Sequence, residues 1–110
     1  MAKLLIVVET GDPNLILVPG LICKATLSEE NKNNNQVRII LIGPSEKLIS
    51  ENENLMKDYS QMASEKPVAC AYMADILNVD KDLLSKYFRV DYIADYLAKS
   101  IDEGFEIVTF

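Results

Sequence analysis

KLLIVVE, residues 3–9, is a short unbroken apolar run rich in β-branched side chains, and Gly11 and Pro13 close it. A run of this length without polar alternation predicts a strand buried on both faces, the type that parallel sheets contain. Working outward, VRIILI at residues 37–42 repeats the pattern and stops at Gly43-Pro44. Pro67-Val68-Ala69-Cys70 is a shorter version, Arg89-Val90 a minimal one, and FEIVTF at residues 105–110 a last one.

The segments between these runs read as helices. Residues 14–28 are expected to be helical, with Leu15, Val18, Leu21, Ile22 and Ala25 inward and Ile16 and Leu17 widening the apolar surface. Pro19-Gly20 is expected to kink that helix. Residues 29–36 are polar and asparagine-rich, a loop. Ser50-Glu51-Asn52-Glu53 has capping-box spacing, and Leu55, Met56, Tyr59, Met62 and Ala63 follow at helical intervals, so residues 51–64 form an amphipathic helix. A short helical turn follows Cys70. Asp80 then caps a helix that buries Leu83, Leu84, Tyr87 and Phe88. Residues 91–103 form the last helix, with Ile93, Leu97 and Ile101 on one face and Gly104 as its stop. Strand-helix alternation of this kind predicts an α/β fold with a parallel sheet covered on both faces, in one domain over residues 1–110.

Composition narrows the function. Eleven basic against 17 acidic residues give a net charge of −6, which argues against a nucleic-acid binder. The first apolar run is too short for a secretory h-region or a membrane span. Two cysteines are too few for a disulfide framework, so a reducing cytoplasm is the expected setting. Histidine is absent, which removes Ser–His and Cys–His relays, and the usual four-ligand zinc sites cannot be assembled in one chain. No metal and no cofactor are expected. Gly11-Asp12-Pro13 lacks both phosphate-loop spacings and reads as a turn, with Thr10 able to donate a hydrogen bond into a site.

Cys70 is the candidate for chemistry. Ligands gather at the carboxyl ends of parallel strands, and Cys70 falls at such an end, next to a helix start. Helix N-termini favour anions and can activate a thiol as a nucleophile or sulfur acceptor. Asp75 would oppose this if it lay close by. A small buried hydrophobe is the other reading of Cys70, and position alone does not separate the two. Cys23, between Ile22 and Lys24 in a helix, reads as packing. Tyr72 and Met73 can wall a pocket around the sulfur or pack in the core. Glu51, Glu53, Asp91, Asp95, Asp102 and Glu103 read as solvated helix faces and caps.

The segment PVACAYMADILNVDKDLL resembles the signature region of the DsrE/DsrF/TusD-like sulfur-relay family. That pattern has Ala-Cys at a strand end, a small residue four positions on, then a glycine-plus-aliphatic turn before an Asp-rich helix start. Ala69, Cys70, Ala74, Asn78, Val79 and Asp80 occupy those places, with Asn78 where relatives usually carry glycine. Asn is the next residue to tolerate a left-handed backbone. KLLIVVETGDP, the strand ending at Gly43-Pro44, and GFEIVTF resemble the family's first, second and last strands, so the likeness runs over most of the chain.

The resemblance implies a three-layer α/β/α sandwich with a mostly parallel sheet of about five strands. It also implies a homo-oligomer (trimer, hexamer or dimer) and a strand-end cysteine that accepts sulfane sulfur as a persulfide and passes it on. That role falls on Cys70, with sulfur donor and acceptor proteins as partners and Thr10, Gly11, Gly43, Tyr72 and Met73 around the site. No second cysteine or histidine stands beside it, which counts against self-contained thiol–disulfide cycling. A non-enzymatic oligomeric scaffold or small-ligand binder of the same fold is the alternative. A reductase using an external resolving thiol is the third reading.

Overall fold

The computed structural model describes residues 1–28 and 34–110. Most of the asparagine-rich loop expected over residues 29–36 therefore lies outside the described residues. Five strands, β1 (Lys3–Val8), β2 (Gln36–Leu41), β3 (Val68–Cys70), β4 (Arg89–Asp91) and β5 (Glu106–Thr109), form one sheet in the order β4-β3-β2-β1-β5. Every neighbouring pair is parallel. Helices α1 (Val18–Thr26), α2 (Pro44–Ser50), α3 (Glu53–Met62), α4 (Ala71–Ile76), α5 (Lys81–Ser85) and α6 (Ile93–Asp102) complete an α/β/α sandwich.

The strand order explains the layers. From β1 to β4 the chain steps in one direction, so right-handed crossovers put the intervening helices on one face. The return from β4 to β5 carries α6 across the other. Side-chain packing agrees: Ile6, Val8, Val37, Ile39, Leu41 and Ala69 meet Ile16, Cys23, Ile49, Met56, Tyr59 and Leu84. On the opposite face Leu5, Ile40 and Val68 meet Tyr96 and Phe105, with Ile93 and Leu97 alongside.

The first helix differs from its sequence reading. A 3-10 turn at Leu15–Leu17 precedes α1, and Pro19 sits in the first turn of α1, where its missing N–H costs nothing. The break in phase turns a different face inward. Ile16, Pro19 and Cys23 are buried, whereas Leu15, Leu21 and Ala25 are exposed. Pro19 thus starts a helix instead of kinking one. The capping box placed at Ser50 is also corrected. Ser50 ends α2, donating its hydroxyl to Lys47 O, and Asn52 caps α3 by accepting the Leu55 N–H at 3.1 Å. Ile101 is half-exposed because α6 buries Tyr96 and Ser100 instead, the latter drawn in by a hydrogen bond from Arg38.

Two turns follow the expected chemistry. Asn78 has φ 56° and Gly104 φ 88°. In each case the next residue's N–H reaches back to the helix, Val79 to Ala74 O at 2.8 Å and Phe105 to Ser100 O at 3.0 Å. This is the Schellman arrangement, which needs a left-handed residue at that point.

Candidate functional site at the carboxyl end of the sheet

Cys70 is the last residue of β3 and the N-cap of α4. It is 5% exposed, pairs with Asp91 of β4 in register, and follows Ala69, which pairs with Leu41 of β2. Alternation along β3 sets Cys70 on the face of Val68, the α6 side. No backbone N–H of α4 is hydrogen-bonded to its sulfur. Asp75, the side chain that could have opposed an anion here, is exposed and paired with Lys81 at 2.7 Å. Cys23 is fully buried, and burial pushes its thiol up to about 11.

The other expected site residues divide into two groups. Gly43 and Met73 lie beside each other: a Cβ on Gly43 would stand 3.9 Å from Met73 Cε. Gly43 has φ 76°, so a side chain there would be strained as well. Thr10 and Gly11 lie beyond β1. Thr10 Oγ1 accepts the Asp12 N–H at 2.9 Å, closing a turn, and a Cβ on Gly11 would press to 3.1 Å from Pro44 Cβ. Gly11, Pro44, Lys47, Leu48, Glu51 and Leu77 line an open groove of about 430 Å³. Tyr72 is 61% exposed.

The strand order reverses between β1 and β5, the place where open α/β sheets leave a ligand crevice. Here Phe110 O accepts the N–H groups of Glu9 and Thr10 at 2.7 and 3.2 Å, which knits the two strand ends together. Cys70 lies two strands away from that point.

One residue of this region was missed in the sequence. Glu46, in the first turn of α2, is fully buried. Its Oε1 accepts the Gly43 N–H at 2.9 Å, and the Glu46 N–H donates to Gly43 O. Its Oε2 is buried without a hydrogen-bond partner among the described residues. Burial pushes the carboxyl up to about 7, and the Gly43 N–H only partly opposes this. Beside it, Ser45 Oγ donates to Val8 O at 2.6 Å, tying α2 to the end of β1. The signal was legible: Gly-Pro-Ser-Glu sets proline at the first helical position and glutamate two residues later, a helix-start signature.

No group of three or more Cys, Asp or Glu residues that could hold a metal occurs among the described residues. None of the helices described is long and apolar enough to cross a membrane.

No protein-family profile matches the chain, and no curated protein matches it in sequence. Solved structures do. MTH1491 from Methanobacterium thermoautotrophicum, a protein of unknown function, superposes with a TM-score of 0.79 at 10% identity, each chain covered in full. The ychN protein from E. coli gives 0.71 at 14% identity, again over the whole of both chains. BT1422 from Bacteroides thetaiotaomicron, a conserved protein of unknown function, gives 0.71 at 20% identity over 98% of this chain and 95% of that one. At such identities the likeness is one of fold.

Proposed function

We propose that this protein is a DsrE-like sulfur carrier, in which Cys70 accepts sulfane sulfur as a persulfide and surrenders it to a partner's thiol. The observation that supports the reading is the position of Cys70, the terminal residue of an inner parallel strand and the N-cap of the next helix. The order of motifs around Ala69-Cys70 adds to it. Transfer is a thiol exchange: the Cys70 sulfur attacks the outer sulfur of a donor persulfide, the donor's S–S bond breaks, and the donor leaves as a thiol. In this reading Gly43 and Met73, which lie beside each other, flank the approach.

Intact-mass analysis after treatment with a sulfane-sulfur donor tests the proposal. The native protein should gain one sulfur atom, lost on reduction and absent in Cys70→Ser. No gain on Cys70, where a control carrier is loaded, ends the relay reading.

A second reading, an oligomeric scaffold or small-ligand binder without chemistry, draws on the 5% exposure of Cys70. Under it, Cys70 alkylates at the rate of an ordinary buried thiol and Cys70→Ser is fully functional in cells. Both readings include a homo-oligomer, because Leu17 and Leu21 stand 60% and 68% exposed on one side of the molecule. Light scattering should give a mass above that of one chain at micromolar concentration, and a monomer would contradict it.

A further inference from the structure

Helices α1 and α3 pack side by side over one face of the sheet and leave a seam open to solvent. Two grooves run along it. The first, of about 350 Å³, is lined by Leu17, Leu21, Leu55 and Tyr59, with Asp58 as its charged residue. The second, of about 530 Å³, is lined by Cys23, Leu27 and Ala63, with Lys24 as its charged residue. Gly20, Gln61 and Met62 belong to both, so the two grooves are one continuous seam. Its floor is tied down: the Tyr59 hydroxyl donates to Ile16 O at 2.7 Å, joining α3 to the turn before α1.

The seam is more apolar and more open than the chain by itself requires. Leu15, Leu17 and Leu21 all stand exposed along one short stretch, whereas monomers usually scatter such side chains singly. Gly20 costs its helix about 1 kcal/mol relative to alanine. A Cβ there would meet Met62 Cε at 3.6 Å, an ordinary contact, so packing within the chain does not call for glycine. What glycine leaves is a recess beside Leu21, open to a facing side chain.

Charge selects the occupant. Lys24 and Asp58 form no ion pair among the described residues. Lys24 lies one helical turn past Gly20 along α1, and Asp58 one turn before Met62 along α3. At 1.5 Å per residue each is about 6 Å from the middle of the seam, and they lie towards opposite ends of it. A partner that neutralises both must present an acid and a base in the reverse order. A second copy of this chain does so about a two-fold axis that crosses the seam between the two residues. We infer that the α1–α3 seam is a two-fold interface between copies of this chain, with Lys24 of each copy paired to Asp58 of the other and Leu21 seated in the opposite groove. This rests on the self-association expected under both functional readings and gives it a place and a symmetry; it does not depend on Cys70 chemistry. With a net charge of −6 on each copy, the two opposite-charge pairs fix the register in which the chains meet.

Sedimentation analysis of the full chain and its variants is the test. At micromolar concentration the wild type should sediment as an even number of chains. A trimer, which has no two-fold axis, overturns the inference; a monomer overturns it together with the expectation of a homo-oligomer. Lys24→Glu and Asp58→Lys each set like charges against one another and should weaken the contact by about tenfold or more. Combining the two substitutions restores opposite charges and should bring the dissociation constant back to within about threefold of wild type. Leu21→Asp should halve the assembled mass, and because Leu21 is exposed, far-UV circular dichroism should show its fold unchanged. Single variants that associate as the wild type does, or a double variant as weak as the singles, overturn the inference while leaving an oligomer standing. Sulfur loading of Cys70, read by intact mass, decides the carrier reading separately.

Discussion

The guanidinium of Arg38 lies 4.2 Å from the ring centroid of Phe105, so an inner strand and the approach to β5 are joined by a stacked cation. The same guanidinium reaches Glu103 at 2.6 Å, Glu65 at 3.1 Å and the Ser100 hydroxyl at 3.0 Å. Burial disfavours its charge, but the Glu103 hydrogen bond and the two carboxylates outweigh that and hold it firmly protonated. Arg38→Ala should cost about 2 kcal/mol, below the usual figure for a broken buried pair because both glutamates keep solvent access. Arg38→Lys should recover only part of this, since an ammonium cannot bridge two acids and stack as well. Urea unfolding of the three proteins measures both differences.

Stability should depend on pH through Glu46. Its folded value, about 7, is raised above the ordinary 4.5. The native state therefore binds the proton more tightly than the unfolded chain, and stability falls as pH climbs from about 4.5 through about 7. The full difference is on the order of 3 kcal/mol. Glu46→Gln should remove that part of the decline. Urea midpoints at pH values on either side of this window check it, and equal slopes in both proteins would refute it.

At Asn78 the left-handed backbone should make glycine the better residue. Asn78→Gly is expected to be neutral or slightly stabilising, whereas Asn78→Ala should cost about 1 kcal/mol. Thermal unfolding in parallel resolves the two.

The two thiols should separate under native alkylation. Cys23 is fully enclosed and its proton is held up to about 11 by burial, whereas Cys70 has a small opening to solvent. Iodoacetamide should label Cys70 first, and urea should equalise the rates. Preferential labelling of Cys23 in the native protein would contradict this placement.

The strands were the most legible part of the sequence. Runs such as KLLIVV and VRIIL have no polar face, so only a doubly covered parallel sheet accommodates them. Turn chemistry at Asn78 and Gly104 was legible for the same reason, since few residues accept a positive φ. Helix faces were harder. One 3-10 turn rotated the inner face of α1 from Leu21 to Cys23, and no periodicity rule sees a change of phase across Leu15–Leu17. At the candidate site, the strand-end position of Cys70 was readable. The helix-start position of Glu46 was readable too, but its burial was not, because that depends on how the rest of the chain folds around it. Arg38 was hidden similarly, in a strand whose acidic partners lie 27 and 65 residues away.

The pairing of β1 with β5 sets a condition on synthesis. Strand β1 is made before β5 and lacks one of its two neighbours until Glu106–Thr109 has been made. Until then one whole edge of that strand, with its row of peptide groups, stays open to any other extended chain nearby. Any delay in making β5 prolongs the time in which that edge can mispair.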